Sequence, residues 1–142
     1  MNLQSAYIYF TEGSTATHAD IEEVKEKFNR YVEMTKKTGE QLGWNYAEAA
    51  FPYTLEERPE GKGSWFLLRG NDPSMYKAII IGVGSREENG QVKHYIQVSL
   101  PESATTGDKG KANEFCRFLA REYKGELHLF NKRIQYFQPR KP

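Results

Sequence analysis

The first part of the chain changes from an aromatic, β-branched pattern to a helical one. Residues 7–10 are aromatic or β-branched and precede a polar stretch, which predicts a strand followed by a loop. Apolar residues then recur at the spacing of one helical face, at Ile21, Val24, Phe28, Tyr31 and Val32. A capping box of Thr17 with Asp20, or of Asp20 with Glu23, would begin this helix, and Gly39 is predicted to end it.

A second helix is predicted from Glu40 to Phe51, with apolar side chains on two sides of its helical wheel. Pro52 disfavours the helical conformation of the residue before it and so sets the predicted end. A helix that is apolar on two sides either lies within the core or presents one side to a partner. The charged stretch 55–63, which contains proline and glycine, predicts an exposed loop.

The second half of the chain is rich in strand patterns. Strands are predicted at 64–69, 75–83 and 92–100. The last of these alternates cleanly between apolar and polar positions, and the Asn89-Gly90 pair before it is a strong signal for a hairpin turn. A third helix and a final hairpin are predicted at about 111–123, 127–130 and 134–137.

This order of elements predicts a single α+β domain over residues 1–142, with helices packed on an antiparallel sheet. The order is strand, helix, helix, three strands, helix, two strands. A chain of 142 residues fits one domain and buries enough surface to fold without a metal or a disulfide. The proline-flanked end of the chain predicts a frayed tail from about residue 138.

Composition and charge exclude several classes of protein. Mean hydropathy is -0.76 and no apolar run approaches the ~18 residues of a membrane helix, which excludes a membrane-spanning protein. The formal net charge of +1 lacks the basic surplus on which nucleic-acid binders rely, so a nucleic-acid partner is not expected. The single cysteine excludes an internal disulfide, and with no secretory pattern at the N-terminus the expected location is cytoplasmic.

Two glycine-containing segments suggest phosphate binding, each with a simpler interpretation beside it. Residues 82–84, Gly-Val-Gly, lack the third glycine and the following helix of a dinucleotide site, which favours a bent strand. Residues 107–111 carry two lysines at the predicted start of the third helix, where free amides attract anions. Ala112 stands where a P-loop needs Ser or Thr, so this segment is either a simple anion site or an ordinary loop.

The histidines and the cysteine form no recognisable site. His18, His94 and His128 lack the spacing of metal ligands, so neither a metal nor a cofactor is predicted. His94 shares the apolar face of its strand, which favours a core or rim residue, although an orienting carboxylate would let it act as a base. Cys116 lies on the apolar face of the third helix and is interpreted as inert packing.

Aromatic residues, 13% of the chain, are the most informative candidates. They are crowded around the predicted second helix and the loop after it, at Trp44, Tyr46, Phe51, Tyr53 and Trp65. Aromatic side chains stack on ligands or anchor protein partners. The alternative is that they fill the core of a small domain that has few leucines, since aromatics dominate core burial as well.

Residues 31–44 (YVEMTKKTGEQLGW) and 47–53 (AEAAFPY) resemble a family of small uncharacterised proteins from spore-forming Gram-positive bacteria, known as a domain of unknown function. The resemblance covers nearly the whole chain. It implies a compact α+β fold in the cytosol, and it implies no catalytic residue, ligand or partner.

Two functional hypotheses from different classes follow. The first, which we favour, is a small cytosolic, non-enzymatic binding or interaction module that uses an aromatic surface formed by Trp44, Tyr46, Phe51 and Tyr53. Its partner would be another protein or a second copy of the chain. The alternative is a small enzyme or ligand-binding protein acting on an anionic metabolite, with Arg69, His94 and Lys111 as candidate residues. The absence of an assembled catalytic motif favours the first hypothesis.

Overall fold

The computed structural model describes residues 3–43 and 46–137 and shows an α+β domain, as predicted. Its elements in chain order are β1 (Gln4–Tyr9), α1 (Ile21–Leu42), α2 (Tyr46–Ala50), β2 (Tyr53–Glu56), β3 (Trp65–Gly70), β4 (Ala78–Glu88), β5 (Gln91–Leu100), α3 (Thr106–Tyr123), β6 (Glu126–His128) and β7 (Ile134–Tyr136). All neighbouring strands are antiparallel, in the order β2-β3-β4-β5-β1-β6-β7.

The predicted boundary between the first two helices is wrong. Gly39 lies inside α1, and the helix ends at Gly43, which has φ 74° and donates its N–H to the Gly39 carbonyl. Glu40, Gln41 and Leu42 are good helix formers and carry α1 past Gly39, and the left-handed conformation that ends a helix is easiest for glycine. The predicted second helix is therefore reduced to its last part, α2.

Both long helices begin at a side-chain cap. The Asp20 carboxylate accepts the backbone N–H of Glu23 at 2.9 Å, so Asp20 caps α1, but the return bond from the Glu23 side chain that a capping box requires is not formed. Helix α3 begins at Thr106 rather than near residue 111, because Thr105 and Asp108 form a reciprocal capping box. Polar and glycine residues that resemble a loop are thus the first turns of a helix.

The stretch 55–63 is not entirely a loop. Strand β2 extends to Glu56 and pairs with β3 at the edge of the sheet, with Glu56 opposite Leu67. This strand is short, and charged residues are a common feature of edge strands, so its pattern resembles that of a loop. The predicted order thus contains one strand too few, and the predicted tail beyond residue 137 lies outside the described residues.

The central hairpin of β4 and β5 is confirmed. Asn89 and Gly90 both have positive φ, at 53° and 78°, as a type I′ turn requires. This turn fixes the register of the two longest strands, in which Glu88 lies opposite Gln91 and Gly82 opposite Gln97.

The two faces of the sheet differ in cover. On one face, alternate strand residues are fully buried against α1 and α3, and Phe28 of α1 meets Phe115 of α3 edge to face at 5.4 Å. On the opposite face, which we call the open face, Tyr7, Trp65 and Ile80 remain half-buried, and no described helix covers them. In residues 3–43 and 46–137, no helix is both long enough and apolar enough to cross a membrane.

Candidate functional site

The aromatic residues predicted to form a docking surface lie mainly in the core. Phe51 and Tyr53 are 8% and 4% exposed, and the Phe51 ring lies 5.4 Å from that of Phe115. Tyr46 is half-buried, and Trp44 lies outside the described residues. Phe51 and Tyr53 are therefore not accessible to a partner in the folded domain.

The residues proposed for an anionic metabolite are not brought together. Arg69 lies opposite Ala78 on the sheet, whereas His94 lies opposite Ser85. Seven residues along β4 separate those two positions, about 23 Å at ~3.3 Å per residue. Arg69 Nε is 3.4 Å from Glu56 Oε1, so its charge already has a partner.

The amides suggested as an anion site are also engaged. Gly110 and Lys111 lie beyond the first turn of α3, where backbone N–H groups bond to carbonyls of the preceding turn. Lys111 Nζ is 3.1 Å from Glu114 Oε2. The predicted loop is helical, and its side-chain charge is paired.

Asp108 forms the most enclosed polar site of the described chain. It is 0% exposed, and its carboxylate accepts hydrogen bonds from the Tyr53 hydroxyl at 2.5 Å, the Thr105 amide at 3.0 Å and the Lys77 amide at 3.0 Å. The Ala78 amide adds a longer contact of 3.4 Å. Burial, and then the hydrogen bond to Asp108, raises the pKa of Tyr53 above its ordinary value. The contacts with Tyr53, Lys77 and Ala78 join distant parts of the chain, and the contact with Thr105 caps α3, so the site holds the fold together.

The open face carries a different polar site, which we call the tyrosine–arginine cluster: Tyr7, Tyr9, Tyr95, Arg86 and Lys93. Tyr95 packs edge-on against Tyr7 at 5.2 Å and against Tyr9 at 5.8 Å, and Tyr7 and Tyr9 stack at 5.8 Å. The strand register puts these rings on one face, since Tyr9 lies directly opposite Tyr95.

Gly84 makes room for this arrangement. It lies opposite Tyr95, and a Cβ atom at Gly84 would come within 2.6 Å of the Tyr95 hydroxyl oxygen. The second glycine of the 82–84 segment therefore lets an aromatic ring lie against the backbone of β4, which is the packing role expected of a strand glycine. Residues 82–84 do not form a dinucleotide-binding loop, because such a loop is followed by a helix and here β4 continues to Glu88.

Arg86 covers the three rings. Its guanidinium carbon lies 5.3, 5.6 and 5.7 Å from the ring centroids of Tyr7, Tyr9 and Tyr95, within cation–π range of each. Burial raises the pKa of Tyr9, and the charge of Arg86 opposes that rise. The cluster thus places a cation at an exposed position over three rings.

Arg86 forms no ion pair with a carboxylate within residues 3–43 and 46–137, whereas Lys93 Nζ lies 3.5 Å from Glu88 Oε2. Arg86 and Lys93 are also directly opposite each other on adjacent strands. Like charges in that position destabilise a sheet, and a local cost of this kind is typical of functional sites.

An apolar groove lies beside the cluster on the open face. It encloses about 350 Å³ between Leu3 and strands β3, β4 and β5. Trp65 and Ile80 form apolar walls, and Gly82 lies at the floor next to Gln97 and Ser99. The groove is at the small end of the ~300–1,000 Å³ typical of ligand sites, so it fits a side chain better than a cofactor.

Sequence reasoning missed the cluster although its signal was present. The tyrosines fall on the polar side of alternating strands, where Lys93, Tyr95 and Gln97 share one face. Large aromatic residues on the side that does not form the core indicate a contact surface. What the sequence lacks is the pairing of β1 with β5, which brings Tyr7 and Tyr9 to Tyr95.

Comparisons with known proteins agree with the resemblance noted in the sequence. The family model of a domain of unknown function, DUF1885, matches residues 4–139. The chain is also similar to a crystal structure of a protein of unknown function from Bacillus stearothermophilus, with 44% identity over 87% of this chain and 91% of the other, and a TM-score of 0.56. No curated protein is significantly similar to it in sequence. The chain therefore belongs to the DUF1885 family.

Proposed function

We propose that this protein is a non-enzymatic interaction module that binds an acidic polypeptide segment on the open face of its sheet. The observation that carries the proposal is Arg86, an exposed guanidinium held over three tyrosine rings with no carboxylate partner in the described chain. A guanidinium fixed in this way offers several N–H donors in a planar fork that matches a carboxylate. Because the rings already order the side chain, less entropy is lost on binding.

The composition of the surface favours a protein partner. Tyrosine, tryptophan and arginine are the residues that most often anchor protein–protein contacts, and Trp65 lies on the same face as the cluster. A single-stranded nucleic acid would need free ring faces for stacking. Here the three rings pack against each other and beneath Arg86, and the chain has a net charge of only +1.

The buried cysteine supports a cytoplasmic location, which is part of the proposal. Burial raises the pKa of the Cys116 thiol to about 12, so the thiol stays protonated and unreactive. A chain with one shielded thiol requires no oxidising compartment. An enzymatic function receives less support, because Arg69 and His94 do not converge on one site and Lys111 is paired with Glu114.

The proposal is tested by selecting partners without prior assumptions. Random peptides of about twelve residues are displayed on phage and selected against the folded protein, and the affinities of the selected peptides are measured by fluorescence anisotropy. We expect enrichment in Asp and Glu, and a loss of affinity of roughly tenfold or more in Arg86→Ala, since charge-assisted hydrogen bonds are lost.

Arg69→Ala is the matched control, because it removes one positive charge from the same face at a residue paired with Glu56. We expect it to weaken binding less than about threefold. Selected peptides without an acidic bias, or equal losses in the two variants, would overturn the proposal. Tighter binding of a single-stranded oligonucleotide to the same face would replace the peptide partner with nucleic acid.

A further inference from the structure

The open face combines two features that the proposed function uses only in part. The tyrosine–arginine cluster offers an unpaired cation, and the apolar groove beside it offers a space of about 350 Å³ with Trp65 and Ile80 in its walls. The two features share the strands β4 and β5, so one bound segment can contact both. The distance between the cluster and the groove then sets the spacing of the two partner side chains that bind them.

Resting on the proposed function, we infer that the partner segment is extended and carries a large apolar side chain two or four positions from its acidic residue. The acidic residue binds Arg86, and the apolar side chain fills the groove. Both must point toward the sheet, and in an extended chain only side chains an even number of positions apart point the same way.

The register of β4 sets the distance. Gly82 lies at the floor of the groove, Gly84 lies under the Tyr95 ring, and Arg86 follows two residues later. At ~3.3 Å per residue, the groove is about 7 Å from Gly84 and about 13 Å from the backbone of Arg86. The Arg86 guanidinium lies nearest to the ring of Tyr7, which is level with Gly82 but two strands away, about 10 Å across the sheet at ~4.8 Å per strand. An extended segment covers that distance in two to four residues.

The serine hydroxyl groups between the cluster and the groove do not require a hydrogen bond from the partner. Ser5 Oγ is 2.9 Å from Ser99 Oγ and accepts a hydrogen bond from Gln97 Nε2 at 3.0 Å. The hydroxyl groups of Ser5 and Ser99 are paired with each other, so an apolar side chain can cover them without leaving either unpaired. The groove therefore selects for an apolar residue rather than for a second polar one.

The test uses synthetic peptides built of glycine and serine, each with one glutamate and one leucine. The spacing between the two residues is varied from about two to five positions, a glutamate-only peptide is the reference, and a leucine-only peptide is measured beside it. Binding is measured by titration of the backbone amide NMR signals. We expect the two even spacings to bind roughly tenfold or more tightly than the reference, and the odd spacings to bind like it.

Ile80→Thr tests the groove, since it keeps a β-branched residue while introducing a hydroxyl group. We expect this variant to lose the advantage of the even spacings while still binding the glutamate-only peptide. Val92→Thr is the control: Val92 is 61% exposed on the opposite side of β5, and a β-branched residue replaced by threonine there should leave binding unchanged.

The outcomes separate the two proposals. Binding that depends on Arg86 but not on spacing would overturn the inference and leave the proposed function standing. Binding of leucine peptides without any glutamate, lost in Ile80→Thr but not in Arg86→Ala, would overturn the proposed function. Equal loss of the even-spacing advantage in Ile80→Thr and Val92→Thr would also overturn the assignment of the groove.

Discussion

Asp108 and Arg86 are two charged residues that contact tyrosine, and they differ in almost every other respect. Asp108 is 0% exposed and accepts hydrogen bonds from the Tyr53 hydroxyl and from backbone amides. Arg86 is exposed over three tyrosine rings and has no carboxylate partner in the described residues. The charge of Asp108 is bound by groups within the fold, and the charge of Arg86 can bind a partner.

The difference teaches how to separate structural from functional charges. A buried charge is tolerated only where the chain supplies its partners, so its removal leaves those partners unsatisfied. An exposed charge that lies opposite another cation adds a cost to the fold, as Arg86 does opposite Lys93. We therefore expect Asp108 to control stability and Arg86 to control binding.

The largest effect is expected from Asp108→Asn. The asparagine amide keeps one accepting oxygen, and its NH2 group faces at least one backbone N–H, that of Lys77 or Thr105, from which the second carboxylate oxygen accepts. A buried donor left without a partner costs ~1–3 kcal/mol, and the remaining hydrogen bonds lose the strength that the charge gives them, so the free energy of unfolding should fall by about 3 kcal/mol. Urea unfolding followed by circular dichroism measures it.

Tyr53→Phe is a milder comparison for this loss of stability, because it removes one hydrogen bond and leaves the backbone contacts of the carboxylate in place. It should cost less than Asp108→Asn, about 1–2 kcal/mol. If Asp108→Asn unfolded within about 1 kcal/mol of the unchanged protein, Asp108 would not hold the fold together and the comparison would fail.

An intermediate effect is expected from Gly84→Ala, which disturbs the cluster without changing a charge. The new methyl group would lie 2.6 Å from the Tyr95 hydroxyl oxygen, so the ring must move. Overpacking of this kind costs ~1–3 kcal/mol. Urea unfolding gives the cost, and the NMR shifts of the Tyr95 ring report the displacement.

Gly110→Ala is the control for the same substitution in open space. No atom lies within 4 Å of a Cβ at Gly110, which is inside α3. Alanine is favoured over glycine in a helix by ~0.5–1 kcal/mol, so this variant should be more stable than the unchanged protein. Opposite signs for the two variants are expected, and a stabilising Gly84→Ala would contradict the packing described for Tyr95.

A smaller effect on stability is expected from Arg86→Ala. Cation–π contacts at exposed sites contribute ~0.5–1 kcal/mol, and the loss of repulsion with Lys93 offsets part of this contribution. The free energy of unfolding should therefore change by less than about 1 kcal/mol, although the affinity for acidic peptides falls. A loss as large as that of Asp108→Asn would show that Arg86 is structural.

Local signals in the sequence were enough to predict most of the fold. The Asn89-Gly90 turn and the alternation of β5 predict the central hairpin, because both depend on neighbouring residues alone. The predictions fail where two local signals compete. Gly39 resembles a helix end, but Gly43 is the residue that adopts the left-handed conformation.

The candidate site was harder to predict because it depends on contacts distant in sequence. Tyr9 and Tyr95 meet only through the pairing of β1 with β5, and Asp108 meets Tyr53 across 55 positions of the chain. Phe51 and Tyr53 carry the same aromatic signal as Tyr7 and Tyr9. Phe51 and Tyr53 join the core cluster, whereas Tyr9, although only 7% exposed, lies on the open face beneath Arg86. The difference depends on which face of the sheet the helices cover.

The smallest effect is expected from Tyr123→Phe, which examines a third case, a buried polar group without a partner. Tyr123 is 4% exposed, and its hydroxyl has no hydrogen-bond partner in the described part of the chain. Removing an unsatisfied buried hydroxyl should leave stability at pH 7 unchanged or raise it by up to about 1 kcal/mol.

The same variant should change stability in alkali. Burial, and then the charge of Glu23, raises the pKa of Tyr123 to about 12, from an ordinary value of 10.0. Above pH 10 the unfolded chain releases the proton that the folded chain retains, so the stability due to this group is fully present below pH 10 and is lost as the pH rises toward 12. Tyr123→Phe should therefore lose less stability over that interval, measured by urea unfolding at each pH.

Tyr136→Phe, at a residue that is 67% exposed, should behave like the unchanged protein. A loss of more than about 1 kcal/mol at pH 7 in Tyr123→Phe would show that the hydroxyl group is satisfied after all, and that burial without a partner does not occur at this position.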